Sequence, residues 1–91
     1  MILFIVCDLS QPGRNYEPLC VQLETADGGF YRLWESVWLI DTLEQPKWWR
    51  DELRCHGDPR DRIIVSRLHQ PWAALQVDGA TRWLLDPARR W

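Results

Sequence analysis

Few side chains in this sequence are equipped for chemistry. The most conspicuous is Asp8, a lone carboxylate closing the apolar run Met1-Ile2-Leu3-Phe4-Ile5-Val6-Cys7. An aspartate at a strand end most often hydrogen-bonds the backbone of the turn that follows it. Ser36 heads a second apolar stretch, where its hydroxyl is either a phosphate-contacting group or, more commonly, a local turn former. Cys7, Cys20 and Cys55 are an odd number with no C-x-x-C spacing, and Cys55-His56 has no second pair at zinc spacing. His56 and His69 are read as structural or solvated. Arg14 beside the Asp8 loop, Arg50 and Arg54 one helical turn apart, and Arg60, Arg62 and Arg67 are candidates for phosphate contacts, the main source of affinity for nucleic acid. Asp51, Glu52, Asp58 and Asp61 are interleaved with them, so a charge-laced solvated surface is the competing reading.

Composition narrows the classes these residues can serve. A chain of 91 residues suits one domain with a single core, and 46% hydrophobic with 26% charged residues is an ordinary globular balance. A net charge of −2 means that any nucleic-acid role rests on a local arginine cluster and not on the field of the whole molecule. Seven tryptophans imply aromatic surface at interfaces, although core packing explains most of them equally well. The cysteine usage fits a reducing cytoplasm. The N-terminal apolar run is too short to cross a membrane, so the expectation is a cytoplasmic protein with no membrane partner.

The elements that must position these residues follow from periodicity. Residues 1–8 read as a buried strand, with Ile2, Phe4, Val6 and Asp8 on one face and Leu3, Ile5 and Cys7 on the other. A turn over Ser10–Asn15, bent by Pro12-Gly13, leads to a helix whose apolar face is Tyr16, Leu19, Cys20 and Leu23, with Asn15 placed to cap it and Asp27-Gly28-Gly29 ending it. Phe30–Leu33 and Ser36–Thr42 read as strands bent at Trp34-Glu35, and Ser36, Trp38 and Ile40 share one face of the second. Thr42 and Gln45 have capping-box spacing before a helix from Gln45 to about His56. Arg62–Leu68 is a further strand. Trp72–Val77 reads as a short fifth strand adding to a sheet edge, its own or a partner's; Ala80–Leu85 is a last helical turn or two; Arg89-Arg90-Trp91 trails off.

Strand, helix, strand, strand, helix, strand is the order of an α+β ferredoxin-like sandwich with an antiparallel sheet, here as a single domain over 1–91 with 70–91 as C-terminal edge strand and tail. Both helices of that architecture lie on one sheet face. Three strands apolar on both sides therefore require a cover for the open face, and the simplest is a second copy across a two-fold axis. Two copies of Asp8 would then approach each other.

The strand ending in Asp8, the Ser36-Val37-Trp38 segment and the strand beginning Asp61-Arg62-Ile63-Ile64-Val65 resemble the CRISPR-associated Cas-two-like family. The loop Asp8-Leu9-Ser10-Gln11-Pro12-Gly13-Arg14-Asn15-Tyr16 is most similar to the subgroup often labelled SinR family, and the VapD-type toxins are related. The resemblance runs from about residue 1 to 75. It implies a homodimer in which paired Asp8 carboxylates hold magnesium or manganese, with Ser36 as neighbour on the adjoining strand. The implied activity is metal-dependent cleavage of RNA or DNA phosphodiester bonds in phage defence. The same resemblance implies two alternatives: an inert dimeric scaffold that binds nucleic acid or a protein partner such as an integrase subunit, and a toxin-like ribonuclease paired with an antitoxin.

Overall fold

The structure, a computed structural model, describes residues 1–9 and 11–91. Along the chain run β1 (Ile2–Asp8), α1 (Glu17–Glu24), β2 (Phe30–Trp34), β3 (Val37–Asp41), α2 (Pro46–His56), β4 (Arg62–Leu68) and α3 (Asp78–Leu85). The four strands form one sheet in the order β2-β3-β1-β4, with every adjacent pair antiparallel. This is a small α+β fold compatible with a ferredoxin-like arrangement. β1 is hydrogen-bonded on both sides, to β3 and to β4. A strand in that place loses its backbone groups to the ladder and both rows of side chains to packing, which is why its sequence is apolar without alternation.

The two rows enter separate cores, as the alternation predicts. Leu3, Ile5 and Cys7 join Trp38 and Ile40 from β3, Leu19 and Leu23 from α1, and Trp49 and Leu53 from α2. Ile2 and Leu39 face the other way and pack with Ala80 and Leu84 of α3, with Phe4, Tyr31, Leu33 and Leu68 around them. The open face is thus covered in part by the chain's own C-terminal helix. Every fourth residue of α3 being apolar gives it one buried stripe, and that stripe has nowhere to go but the sheet.

Local chemistry sets the ends of the elements. Of the expected Ser10–Asn15 turn, Ser10 lies outside the described residues; from Gln11 the chain makes a tight turn closed by Arg14 N donating to Gln11 O at 3.3 Å. Pro12 takes the second position and Gly13, at φ +80°, the third, where a left-handed residue is required. Asn15 Oδ1 accepts from Glu17 N at 3.0 Å as α1 begins. The capping box at Thr42 does not form. Thr42 Oγ1 instead accepts from Glu44 N and from the indole Nε1 of Trp49, both at 3.0 Å, a local turn that also satisfies a buried tryptophan. Between β2 and β3 the hairpin carries an irregularity at Arg32–Trp34, so β2 reaches one residue further than the periodicity indicated.

The tail departs most from expectation. Residues 72–77 form no strand and pair with neither sheet edge in this chain; they run across the open face into α3. Arg89-Arg90-Trp91 does not trail off. Arg90 N and Nε donate to Asp41 at 3.0 and 3.1 Å, Arg89 donates to Gly28 O at 2.7 Å, and Arg90 Nη2 lies 2.9 Å from Asp27. Trp91 stacks on Trp72, and its carbonyl accepts from Arg67. Gly28 is needed for this approach, since a Cβ there would stand 2.6 Å from Asp41 Cγ. No helix among the described residues is long and apolar enough to cross a membrane.

Candidate functional site

Asp8 ends β1 at the edge of a cleft of about 530 Å³ lined by Val6, Cys7, Leu9, Tyr16, Cys20, Arg32, Glu35 and Ser36. The cleft exists because three segments converge where the sheet stops: the end of β1, the β2–β3 turn and the first turn of α1. Cys7 N donates to Ser36 O at 2.8 Å, which ties the β1 end to that turn and sets Ser36 beside Asp8. Ser36 lies in the turn before β3 and not within a strand.

The loop after β1 is held from the far side. Tyr16 Oη donates to Asp61 Oδ1 at 2.8 Å and accepts from Gln11 N at 3.3 Å. Asp61 Oδ2 accepts from Asp58 N at 2.7 Å, so one carboxylate braces two loops. Desolvation, and after it the hydrogen bond to Asp61, raises the Tyr16 phenol above its ordinary value. Tyr16 therefore remains a neutral donor across the physiological range and positions the loop; it is no base.

Asp8 itself is 54% exposed, and its nearest charge is Arg62, with Nη2 at 3.1 Å from Oδ2. The pair sits on directly opposed positions of β1 and β4. A guanidinium there occupies one carboxylate oxygen and offsets its charge. Glu35 and Arg32 line the same cleft and are the residues that sequence reasoning missed: the bend at Trp34-Glu35 was legible, but which strand end it would face was not. Arg32 is committed locally: its guanidinium donates to Glu35 O at 2.7 and 3.2 Å and lies 4.9 Å from the Trp38 ring.

The remaining arginine candidates do not converge on Asp8. Arg14 donates to Gly57 O at 2.8 Å and lies 3.9 Å from Asp58, on the flank of the loop. Arg60 pairs with Asp58, and its side-chain hydrogen bond holds that carboxyl below its usual range. Arg50 pairs with its neighbour Asp51 at 2.9 Å. Arg50 and Arg54 share a groove of about 350 Å³ with Asp58 and Asp61, so its cations meet carboxylates of its own. The interleaving of signs seen in the sequence thus becomes pairing on the surface.

Magnesium and manganese favour about six oxygen ligands. Among the described residues no group of three or more His, Cys, Asp or Glu side chains stands together to hold such an ion. One chain offers the Asp8 carboxylate with Ser36 and Glu35 in the same cleft. The donor set grows only where another copy of Asp8 is brought to it.

The face that would bring one is exposed. Val6 pairs in register with Val37 and Ile64, two positions before the Asp8–Arg62 row and on the same face, and neither Val6 nor Ile64 belongs to the cluster that packs on α3. Ile64 is 67% exposed. None of the protein-family models, curated proteins and solved structures compared with this chain matches it.

Proposed function

We propose that this chain is a ferredoxin-like, Cas-two-like protein that works as a homodimer and cleaves phosphodiester bonds of RNA or DNA with the help of a divalent metal, Asp8 being the metal-binding carboxylate. The observation that carries this reading is the placement of Asp8. It is a half-exposed carboxylate at the end of an inner strand, opening on a cleft that also holds Arg32, Glu35 and Ser36 and adjoining the apolar Val6–Ile64 strip, where the chain leaves Ile64 uncovered. A second copy on that strip would hide the exposed apolar groups and set one Asp8 toward the other. Magnesium or manganese held there would supply Lewis-acid polarisation of the phosphate. Ser36 would hydrogen-bond a phosphate oxygen at the cleft, and Arg62, released from Asp8, would neutralise backbone charge beside it.

The Asp8–Arg62 ion pair favours a second reading, in which the dimer is an inert scaffold for nucleic acid or a protein partner and the carboxylate only orients Arg62. One experiment separates them. Purified wild type and Asp8→Asn are compared for cleavage of single- and double-stranded RNA and DNA with Mg²⁺ or Mn²⁺, alongside sedimentation of both. The nuclease reading expects twice the chain mass for each protein and a loss of roughly 10²-fold or more in cleavage for the variant. Undiminished cleavage by Asp8→Asn would overturn it. No cleavage by the wild type, with salt-sensitive nucleic-acid binding that Arg62→Gln weakens, would establish the scaffold instead.

A further inference from the structure

The C-terminal arm is fastened in a way that the rest of the fold is not. Its apolar purchase on the sheet consists of Ala80 and Leu84, the two buried side chains of α3, with Trp72, Val77, Trp83 and Trp91 packed part-buried around them, while Leu75 and Leu85 are exposed. Residues 72–77 contribute no ladder hydrogen bonds. Its polar fixation centres on the carboxylate of Asp41, with Arg67 also donating to the Trp91 carbonyl. Asp41 is completely buried, and it is met by Arg90 through two hydrogen bonds, by Arg89 Nη1 at 3.8 Å and by the Met1 amino group at 3.9 Å. Arg89 also lies over the Trp83 ring at 4.1 Å, tying the clasp back to α3, and Arg90 spans to Asp27.

The arm that covers Asp41 also carries the charges that neutralise it. In the closed arm Asp41 is shielded from water and compensated by Arg90. With the arm lifted, Asp41 and both arginines are hydrated, so opening strands no buried charge, whereas removing one partner in the closed state does. Salt screens the half-exposed Arg90–Asp27 pair of this lock, whereas the pairs to buried Asp41 are screened much less, so the lock is broken by removing a partner and not by salt. Beneath the arm lie Ile2, Phe4, Leu39 and Leu68, on the same face as the exposed Val6–Ile64 strip. An apolar groove of about 300 Å³ between the sheet, residues 72–77 and α3 marks where this cover fits incompletely.

We propose that residues 70–91 form a latch, fastened by Asp41 to Arg89 and Arg90, that opens as a unit and so switches how much of the second sheet face is presented. The latch stands independently of the nuclease reading, since it concerns only the chain's own contacts. Opening enlarges the exposed apolar surface from the Val6–Ile64 strip to the whole face.

Hydrogen–deuterium exchange on the full chain tests this, with Asp41→Asn as the main variant and Arg90→Ala as a second one that leaves Asp41 in place. The expected result is that amides of α3 exchange roughly tenfold faster or more in either variant, while β1 and α2 keep their protection. Binding of an apolar-surface dye should rise in parallel. If α3 and β1 lose protection together, the arm is an integral part of one cooperative core and the latch is overturned. If α3 protection is unchanged in both variants, the ion-pair cluster is not what fastens it, and the proposal fails as well.

Discussion

The two faces of the sheet are covered by different physics. On one, α1 and α2 lay Leu19, Leu23, Trp49 and Leu53 over Leu3, Ile5, Cys7 and Ile40, an apolar layer whose single polar concession is the Trp49 indole bonded to Thr42. On the other, one short helix buries Ala80 and Leu84, and a cluster of charges around Asp41 does the fastening. Apolar burial is non-directional and gains with every added contact; an ion-pair clasp is directional, few in contacts and lost when one partner is removed. The first face is therefore a foundation and the second an attachment. The candidate site lies where the attachment stops, at the Asp8 end of β1.

The contrast can be broken most forcefully at Trp49. Trp49→Ala should lower unfolding free energy by about 3–5 kcal/mol, whereas Leu84→Ala, beneath a cover that can adjust, should cost about 2 kcal/mol. Denaturant titrations of both variants check this, and an equal or larger loss at Leu84 would mean that the two faces are equivalent.

Cys7 sharpens the comparison through pH. Burial, helped by the negative fields of Cys20 and Asp61, pushes its thiol from 9.0 to about 11. The folded state thus holds the proton more tightly than the unfolded chain. The resulting stability is fully present below pH 9 and is lost as pH rises from there towards 11. The loss should be on the order of 2–3 kcal/mol, as two factors of ten in proton affinity imply. Stability measured across that range in wild type and Cys7→Ala should differ in slope, and identical slopes would show that the thiol beside the cleft is not desolvated. Exposed Cys55 should alkylate readily at neutral pH, and Cys7 should not.

The smallest effect is expected at Ile64. Ile64→Ser should change the stability of the single chain by less than about 0.5 kcal/mol, because the side chain is mostly in water. Its dissociation constant for self-association should nevertheless rise clearly in sedimentation experiments. A variant that associates as tightly as wild type would take the Val6–Ile64 strip out of the dimer interface.

Much of this molecule was legible in its residues. The continuous apolar runs of β1 and β3 implied central strands buried on both sides, and the alternation within them assigned each side chain to its face, because a strand's period of two leaves no other choice. Pro46 and Gly13 marked a helix start and a turn through backbone chemistry that is local by nature. The proximity of Ser36 to Asp8 was implied by the family resemblance and not by periodicity, and it is a turn, not a strand, that carries Ser36 there.

The cover of the open face did not follow. An apolar sheet face demands burial but does not say by what, and eight residues of weakly patterned tail next to a fifth-strand signature gave no reason to prefer α3 over a second copy. Nor did the sequence reveal that Asp41 would be buried and met by arginines 48 and 49 positions away, or that Arg62 would stand on Asp8 from the opposite strand. Charges carry no periodic signature; their partners are chosen by the topology that sets β1 between β3 and β4 and folds the tail back across them.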